Sequence, residues 1–198
     1  MPDFQRISNM SAAADVTKLR EIFGEKIWET VEFRGEHTVR VELGSLHAVL
    51  AKCQKDLGYE MILDISSLDH FGDDPRFEMV YEIASLDDSK HLRVKAKVSE
   101  DETVESVTNL WVGADWHERE VWDMMGIPFT GHPNMKRILM WEGYPFFPLR
   151  KDFPLAGRPT DMPDVAFTGV APLEGGPFVT SASLEDVAKR EPRARVVE

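Results

Sequence analysis

The alternation of apolar and polar residues predicts two pairs of β-strands in the first half of the chain. The segments IWETVEF and HTVRVEL alternate on either side of a turn at residues 34–36, which is typical of a hairpin with one buried face. The segments RFEMVYEIAS and KHLRVKAKVS also alternate strictly, and we predict that they pair antiparallel. In that pairing acidic side chains face basic ones across the strands, namely Glu78, Glu82, Arg93, Lys95 and Lys97. Residues 59–68 are predicted to form a further, largely buried strand.

Apolar residues at helical spacing predict four helices. The clearest has Ser45 as its N-cap and ends at Gly58, and its apolar stripe consists of Leu46, Val49, Leu50, Cys53 and Leu57. Shorter helices are predicted at residues 15–24, with Asp15 as N-cap, and at residues 102–111 and 116–125. Helices on one face of a mainly antiparallel sheet make an α+β fold.

The periodic pattern ends at Gly126. Nine of the twelve prolines and seven of the thirteen glycines lie at residues 126–178, and residues 126–160 carry five Lys and Arg against two acidic residues in an otherwise acidic chain. Such a segment is too long for an ordinary loop and is either functional or a linker. We therefore predict four regions: a flexible N-terminus at residues 1–14, an α+β domain at 15–125, an extended arm at 126–180, and a tail at 181–198 in which Ser183 could cap a short helix.

Aromatic residues distinguish the arm from a disordered linker, because disordered segments are poor in large apolar side chains. The rings of the arm are Phe129, Trp141, Tyr144, Phe146, Phe147, Phe153, Phe167 and Phe178. Its prolines prevent it from forming a sheet or helix of its own, so the rings must pack on the domain or on a second protein. Burying each ring stabilises by about 1.5–3 kcal/mol. We favour a second protein as the surface that covers them.

The acidic composition argues against nucleic acid or an anionic membrane as the main partner, because both are bound by clustered Lys and Arg. The chain has a net charge of −12 and a pI near 5.0. It lacks both the roughly 18 consecutive apolar residues of a membrane span and a secretory pattern, so we expect a soluble, intracellular protein. Its single cysteine, Cys53, excludes an internal disulfide and a four-thiolate metal site within this chain.

Residues 115–125 hold a group of carboxylates that could carry acid–base chemistry. His117 begins the zinc-protease pattern H-E-x-x-H, but Val121 stands where the second histidine is required. On a helical projection, Arg119 and Asp123 lie on the polar side and are predicted to form an ordinary i,i+4 ion pair. These residues therefore predict a solvated helix surface and no metal site.

Glu118 differs, because the same projection places it among apolar residues, where a charge must be paired or hydrogen-bonded. Two structural accounts remain open. Either Asp115 is the helix N-cap and Glu118 its capping-box partner, or Glu118 forms a buried ion pair with Arg137 or Arg150. A third account, from a different class, makes Glu118 the centre of a free-standing carboxylate enzyme that uses one of these arginines.

Charged residues, glycines and prolines form a dense pattern at residues 118–155. Its members are Glu118, Arg119, Glu120, Asp123, Gly126, His132, Pro133, Lys136 and Arg137, followed by the segment PLRKDFPL at residues 148–155. This pattern resembles the signature of the 30 kDa subunit family of respiratory complex I, which in bacteria is the C subunit of the NADH:quinone oxidoreductase. The resemblance is specific because many polar positions recur in one contiguous stretch.

The resemblance implies a subunit of the peripheral arm of a proton-translocating enzyme, on the cytoplasmic face of the bacterial inner membrane. Such a subunit would have no active site or cofactor of its own, since NADH, FMN, the Fe–S clusters and quinone are bound by other subunits. Its implied partners are the large hydrogenase-like subunit (the 49 kDa-type or D subunit) and the cluster-bearing B and I subunits. The signature residues would order the helix and its exit, and the implied partner interface comprises Trp141, Phe146, Phe147, Arg150, Lys151, Asp152, Phe153 and Pro154.

A rival interpretation keeps the family and changes the complex. Subunits similar to this one also occur in ferredoxin-fed complexes, in coenzyme F420-fed complexes and in membrane-bound hydrogenases. Because the electron donor is selected by other subunits, the resemblance leaves these alternatives open beside the respiratory enzyme.

Overall fold

The computed structural model describes residues 4–87 and 89–154, with side chains from residue 12 onward. The described helices are α1 (Phe4–Phe23), α2 (Leu46–Asp56) and α3 (Ala114–Met125), with short 3-10 helices at Gly24–Lys26 and Leu43–Ser45. The described strands are β1 (Ile27–Phe33), β2 (Glu36–Val41), β3 (Met61–Asp69), β4 (Phe77–Ala84), β5 (His91–Val98), β6 (Val104–Glu105) and β7 (Phe129–Thr130). The predicted arm beyond residue 154 and the predicted tail lie outside the described residues.

Strands β1–β5 form one mixed sheet in the order β1-β2-β5-β4-β3. Its neighbouring strands are antiparallel except for β2 and β5, which run parallel. Both predicted antiparallel pairs are confirmed, and the β4–β5 register places Glu78 opposite Lys97 and Glu82 opposite Arg93. The α+β class is confirmed for the described part of the chain, with one parallel pairing in this sheet that the strand patterns do not reveal.

A single core lies on one face of this sheet, and all three helices contribute buried side chains to it. Alternate residues of the central strands, such as Val39 and Tyr81, are fully buried there. The opposite face carries charged side chains, of which Glu78 is 3% exposed because Arg40 and Lys95 approach its carboxylate at 3.1 and 3.0 Å. The charged side chains of this face therefore pair with one another across neighbouring strands, as the sequence predicts.

Helix α1 is longer than predicted. It begins at Phe4, so the predicted boundary after residue 14 falls inside the helix, and Asp15 is not an N-cap. The Asp15 side chain is buried, and its Oδ2 accepts a hydrogen bond of 2.8 Å from Nζ of Lys90, which also donates to the carbonyl of Leu57 at 2.6 Å. A carboxylate on a helix surface thus serves to hold α1 against β5 and the end of α2.

The predicted helix at residues 102–111 is wrong. This segment contains β6 and a series of turns. The N–H of Val104 donates to the carbonyl of Pro128 at 2.9 Å, and the N–H of Ser106 donates to the carbonyl of Thr130 at 2.9 Å. The pairing is parallel and joins residues about 25 apart, so local spacing of apolar residues cannot predict it.

Two smaller predictions are also corrected. Strand β3 is not largely buried, because it forms an edge of the sheet and leaves Met61 and Leu63 each 41% exposed. All five residues of the predicted apolar stripe of α2 are buried, four of them within the helix and Leu57 one residue beyond it. Gly58 has the predicted positive φ, at +70°. Ser45, however, makes no side-chain cap bond, since it belongs to the 3-10 turn that precedes the helix.

Candidate partner-docking site

Helix α3 ends at Met125, and the chain enters the arm at Gly126. Gly126 has a φ of +76°, and its N–H donates to the carbonyl of Trp122 at 2.9 Å, which is the left-handed stop that favours glycine. A Cβ atom here would lie 2.5 Å from Cε2 of Phe147. Glycine is therefore required both by the turn and by the ring that returns from the arm to cover it.

Asp123 fixes the first part of the arm to α3. Its Oδ2 accepts three successive backbone N–H groups, those of Ile138, Leu139 and Met140, at 2.7–2.9 Å, and its Oδ1 accepts Nη1 of Arg137 at 2.5 Å. Burial alone would raise the pKa of Asp123, but these N–H donors and the guanidinium together hold it below the ordinary value. Asp123 is thus a buried anion that organises a loop, and the predicted surface pair with Arg119 is wrong.

Arg119 has a different role from the predicted one. Its Nε donates to the backbone carbonyl of Lys136 at 3.0 Å, and Nη2 lies 3.4 Å from the carbonyl of Arg137. Glu120, by contrast, is exposed on the same helix, and Lys136 is exposed in the loop. The helix therefore holds consecutive parts of the loop, residues 136–137 through Arg119 and residues 138–140 through Asp123.

Glu118 is fully buried and faces the loop around β6. Its Oε2 accepts the hydroxyl of Ser106 at 2.7 Å, and its Oε1 accepts the N–H of Val107 at 2.7 Å. Neither structural prediction is correct, since Gly113 is the N-cap residue of α3, and the guanidiniums of Arg137 and Arg150 bind elsewhere. Burial raises the pKa of Glu118, although the two hydrogen bonds oppose that shift.

The raised pKa of Glu118 predicts a pH dependence of stability with a definite sign. A carboxylic acid whose pKa is raised in the folded state binds its proton more tightly there than in the unfolded state. The folded protein therefore loses stability as the pH rises above 4.5, which is the ordinary pKa of a glutamate side chain. We expect Glu118→Gln, whose amide oxygen can accept the N–H of Val107 while its NH2 donates to the Ser106 oxygen, to become more stable relative to wild type as the pH rises from 4.5 to 8. Urea unfolding at several pH values measures this difference, and a constant difference would contradict it.

His132 lies next to the same cluster, and its side chain is fully buried. Its Nδ1 accepts the N–H of Asn134 at 3.1 Å, so the ring proton belongs on Nε2, which lies 3.0 Å from Oδ1 of Asp115 and 3.9 Å from Oε2 of Glu118. The adjacent Pro133 is exposed. His132 therefore joins the start of the arm to the first turn of α3.

A second attachment follows about ten residues after the first. The N–H of Leu149 donates to the carbonyl of Met124 at 3.1 Å, and Nε of Arg150 donates to the carbonyl of Met125 at 2.6 Å. These carbonyls belong to the last turn of α3, which otherwise lacks partners for them. The arm thus returns to the helix end from which it started.

A third attachment, which we name the arginine latch, consists of Asp69, Arg76, Lys151 and Asp152. Arg76 donates to both carboxylate oxygens of Asp69 at 2.8 Å and to Asp152 at 2.6 Å, while Oδ2 of Asp69 also accepts the N–H of Lys151 at 2.8 Å. Hydrogen bonding to Arg76 is the main cause that lowers the pKa of both carboxyls. The latch connects the end of β3, the start of β4 and the arm.

The rings of the described arm form a row. Trp141 and Tyr144 lie 4.5 Å apart between ring centroids, Tyr144 and Phe146 lie 5.7 Å apart, and Phe146 and Phe153 lie 6.0 Å apart. Edge contacts at these distances are favourable for aromatic rings. The guanidinium of Arg137 stacks near Trp122, Tyr144 and Phe147, at 5.4, 5.6 and 5.3 Å from the ring centroids.

The chain's own domain packs against two rings of the arm outside this row, Phe129 and Phe147, whereas Tyr144, Phe146 and Phe153 are half-buried. That a second protein covers the row stays a prediction. Phe129 is 7% exposed in the core, Phe147 covers Gly126, and Pro154 ends the described arm next to the arginine latch. Apolar side chains that remain outside are Leu139, Trp141 and Leu149, with exposures of 60, 41 and 58%. These three side chains, which we call the outer apolar face, constitute the candidate docking site.

The side chains that the sequence offers for acid–base or thiol chemistry are enclosed by the fold. Glu118 is closed off from solvent, and among residues 4–87 and 89–154 no group of His, Cys, Asp or Glu is arranged to hold a metal ion. Burial raises the pKa of the Cys53 thiol to about 12, so this cysteine is a core residue and not a nucleophile. No helix in the described part of the chain has both the length and the apolar character of a bilayer span.

Several known proteins are similar to this chain. The family model described as respiratory-chain NADH dehydrogenase, 30 Kd subunit, matches residues 39–159. The C subunit of the NADH-quinone oxidoreductase of Citrifermentans bemidjiense is 44% identical over 143 residues, which is 72% of this chain and 89% of that protein. The combined C/D subunit of the NADH-quinone oxidoreductase of a Sulfurihydrogenibium species is 41% identical over 152 residues, which is 75% of this chain and 26% of the relative.

A solved structure shares the fold. It is a chain of the membrane-bound sulfane sulfur reductase, an archaeal respiratory membrane complex, with a TM-score of 0.64 and 21% sequence identity over 73% of this chain and 86% of that one. The family match spans more than half of the present sequence and includes the whole described arm. The chain therefore belongs to the family of the 30 kDa subunit of the respiratory-chain NADH dehydrogenase, as the signature at residues 118–155 predicts.

Proposed function

We propose that this chain is the C subunit of a proton-translocating NADH:quinone oxidoreductase, in which it supports the large quinone-reducing subunit and performs no catalytic step itself. The relatives that it matches over most of their own length carry this name. The observation that carries the scaffolding role is the outer apolar face, because the arm that displays it is already anchored at α3 and at Arg76. An anchored segment that still exposes large apolar side chains is typical of a protein–protein contact.

The large subunit, known in bacteria as the D subunit, is the proposed occupant of this face. In the Sulfurihydrogenibium relative, the part similar to this chain is about a quarter of a protein whose name joins the C and D subunits. Fusion of two chains keeps them at high effective concentration, which is compatible only with partners that can bind side by side. The proposed interface comprises the outer apolar face together with the predicted Phe146, Phe153 and Pro154.

We assign the cofactors to the other subunits of the complex. FMN and the Fe–S clusters would carry electrons from NADH to quinone, and the cluster-bearing B and I subunits would lie beside the large subunit. The single, deeply buried Cys53 supports this assignment, because cluster ligation needs several accessible thiolates. As part of such a complex the chain would lie on the cytoplasmic face of the bacterial inner membrane.

Affinity purification of the tagged full-length chain from native membranes tests this function. We expect the large subunit, the cluster-bearing subunits and the flavin-binding and NADH-binding subunits to co-purify. Recovery of the large subunit with ferredoxin-linked or hydrogenase partners would assign the chain to the rival complex. A chain that purifies alone, in particular with catalytic turnover of its own, would contradict the proposal.

A matched pair of variants locates the contact. Leu139→Ser with Leu149→Ser should reduce recovery of the large subunit at least about tenfold, since each removes a buried apolar contact worth more than about 1 kcal/mol. Ile22→Ser with Phe33→Ser is the control, because these side chains are similarly exposed, at 54 and 65%, and lie away from the arm. Equal loss in both variants would indicate a general effect on folding or solubility.

A further inference from the structure

We infer that the described arm is a rigid docking face assembled on its own domain before the partner arrives, and that the arginine latch holds its end in the docking position. This inference rests on the proposed function and deepens it, since it concerns how the same face recognises the large subunit. The opposite possibility is an arm that becomes ordered only when it meets the partner.

The first step concerns the burial of the latch. The side chains of Asp69 and Arg76 are 1 and 11% exposed, and the two residues make a bidentate pair that is supported by the N–H of Lys151. Exposed ion pairs contribute little, whereas charge-assisted, bidentate pairs with low exposure are strong and fix geometry. The bidentate pair therefore fixes Asp69 and Arg76 on the domain, and the arm joins this fixed pair through the N–H of Lys151 and the carboxylate of Asp152.

The second step connects the latch to the exit of α3. The Arg150 guanidinium lies 5.2 Å from the centroid of Phe77 and 4.8 Å from that of Phe147, while its Nη1 lies 3.7 Å from Glu100. The same Glu100 carboxylate pairs with Arg76. Arginine planes stack on rings while their N–H groups bind oxygen, so one carboxylate bridges two stacked arginines.

The third step concerns the surface that results. Because the arm is fixed at Asp123, at Met124–Met125 and at Arg76, the three side chains of the outer apolar face keep constant relative positions. The arm also encloses a cavity of about 140 Å³, lined by Pro145, Phe146, Phe147, Arg150, Asp152 and Phe153. Because rings and two charged side chains share its walls, the cavity suits one protruding side chain of the large subunit that has both apolar and polar atoms. A surface of this kind binds without the entropic cost of ordering a loop.

The inference predicts protection of specific amides in the isolated full-length chain. Hydrogen exchange should show slow exchange at Leu149 and Lys151, whose N–H groups bind Met124 and Asp69. Arg76→Gln should accelerate exchange at Lys151 by about tenfold or more, since a hydrogen bond to a charged group contributes at least that factor. Rapid exchange of both amides in the wild-type chain would overturn the inference.

Two further variants keep the result interpretable. Asp152→Asn alters the latch on its exposed side, where the carboxylate is 43% exposed, so the domain should stay folded while Lys151 exchanges faster. Arg93→Gln is the matched control, because Arg93 also pairs with carboxylates but lies on the charged face of the sheet. Equal exchange at Lys151 in Asp152→Asn and wild type would count against the latch.

Binding to the separately purified large subunit completes the test. Association should slow in proportion to the fraction of chains whose arm has left the docking position, so a variant of Arg76 or Asp152 in which Lys151 is almost unprotected should associate about three- to tenfold more slowly, with dissociation and circular dichroism less affected. Unchanged association in such a variant would overturn the inference. If the wild-type chain fails to bind although Lys151 is protected, the latch stands and the proposed function fails.

Discussion

Replacing Asp123 with Asn is expected to destabilise the protein by about 3–5 kcal/mol, which is the usual cost of removing one partner from a buried ion pair. Asp123 is fully buried, and the Arg137 side chain that it neutralises is only 10% exposed. The amide group of Asn cannot accept Arg137 and the three N–H groups of residues 138–140 at once, because one of its two positions is a donor. Urea unfolding followed by tryptophan fluorescence measures the loss.

The effect should begin in the arm and spread to the domain. Hydrogen exchange at Ile138, Leu139 and Met140 should accelerate in Asp123→Asn even under conditions where the core remains folded. Glu120→Gln, an exposed carboxylate on the same helix, is the control and should change stability by less than about 0.5 kcal/mol. An Asp123 variant as stable as this control would show that Asp123 does not organise the loop.

The second large effect concerns the ion pair that holds α1. Asp15→Ala is expected to cost about 3–5 kcal/mol, because the ammonium group of Lys90 would remain buried near the carbonyl of Leu57 with its carboxylate removed. The same unfolding assay measures this cost. The cation also lies 4.8 Å from the ring centroid of Tyr59, so part of the charge remains compensated.

A double variant separates the charge effect from helix propensity. Asp15→Leu combined with Lys90→Met replaces the pair by apolar side chains and should recover most of the loss, since well-packed apolar groups substitute for buried ion pairs at little cost. Lys18→Ala is the control, because Lys18 pairs with the same carboxylate from an exposed position, at 57%. If the double variant is as unstable as Asp15→Ala, the pair is not the cause.

Local patterns correctly predict two strand pairs that are consecutive along the chain, and most of the helices. The alternation in β4 and β5 predicts their register because each strand has one apolar face, and cross-strand charges such as Glu82 and Arg93 reinforce it. The parallel contact of β2 with β5 and that of β6 with β7 escape such patterns. Parallel partners are brought together by crossovers, and no turn sequence marks them.

The buried carboxylates show why side-chain roles are harder to predict than elements. Asp15, Glu118 and Asp123 all lie on helices, and a helical projection suggests caps or surface pairs for them. In the structure they bind Lys90, the loop at Ser106–Val107 and the loop at residues 138–140. Their partners are distant side chains and backbone N–H groups, and the backbone groups carry no residue-type signal. The apolar neighbours of Glu118 correctly indicate its burial.

Composition predicts the arm only in part. Its start at Gly126, its rings and its irregular backbone follow from the sequence, but the prediction that a second protein covers the rings misses the three attachments to the chain's own domain. The last of these depends on Asp69 and Arg76, which lie more than seventy residues before the segment that they hold. What remains for a partner is the outer apolar face of Leu139, Trp141 and Leu149, together with the half-buried rings of Phe146 and Phe153.

A photo-reactive side chain introduced at position 149 of the full-length protein tests the docking of this face most directly. Leu149 is 58% exposed on the arm, and Leu86, which is 67% exposed beyond the far end of β4, provides the control position. After irradiation of native membranes, the account predicts a crosslink from position 149 to the large quinone-reducing subunit and none from position 86. A crosslink to that subunit from position 86 alone, with position 149 unreacted, would contradict it.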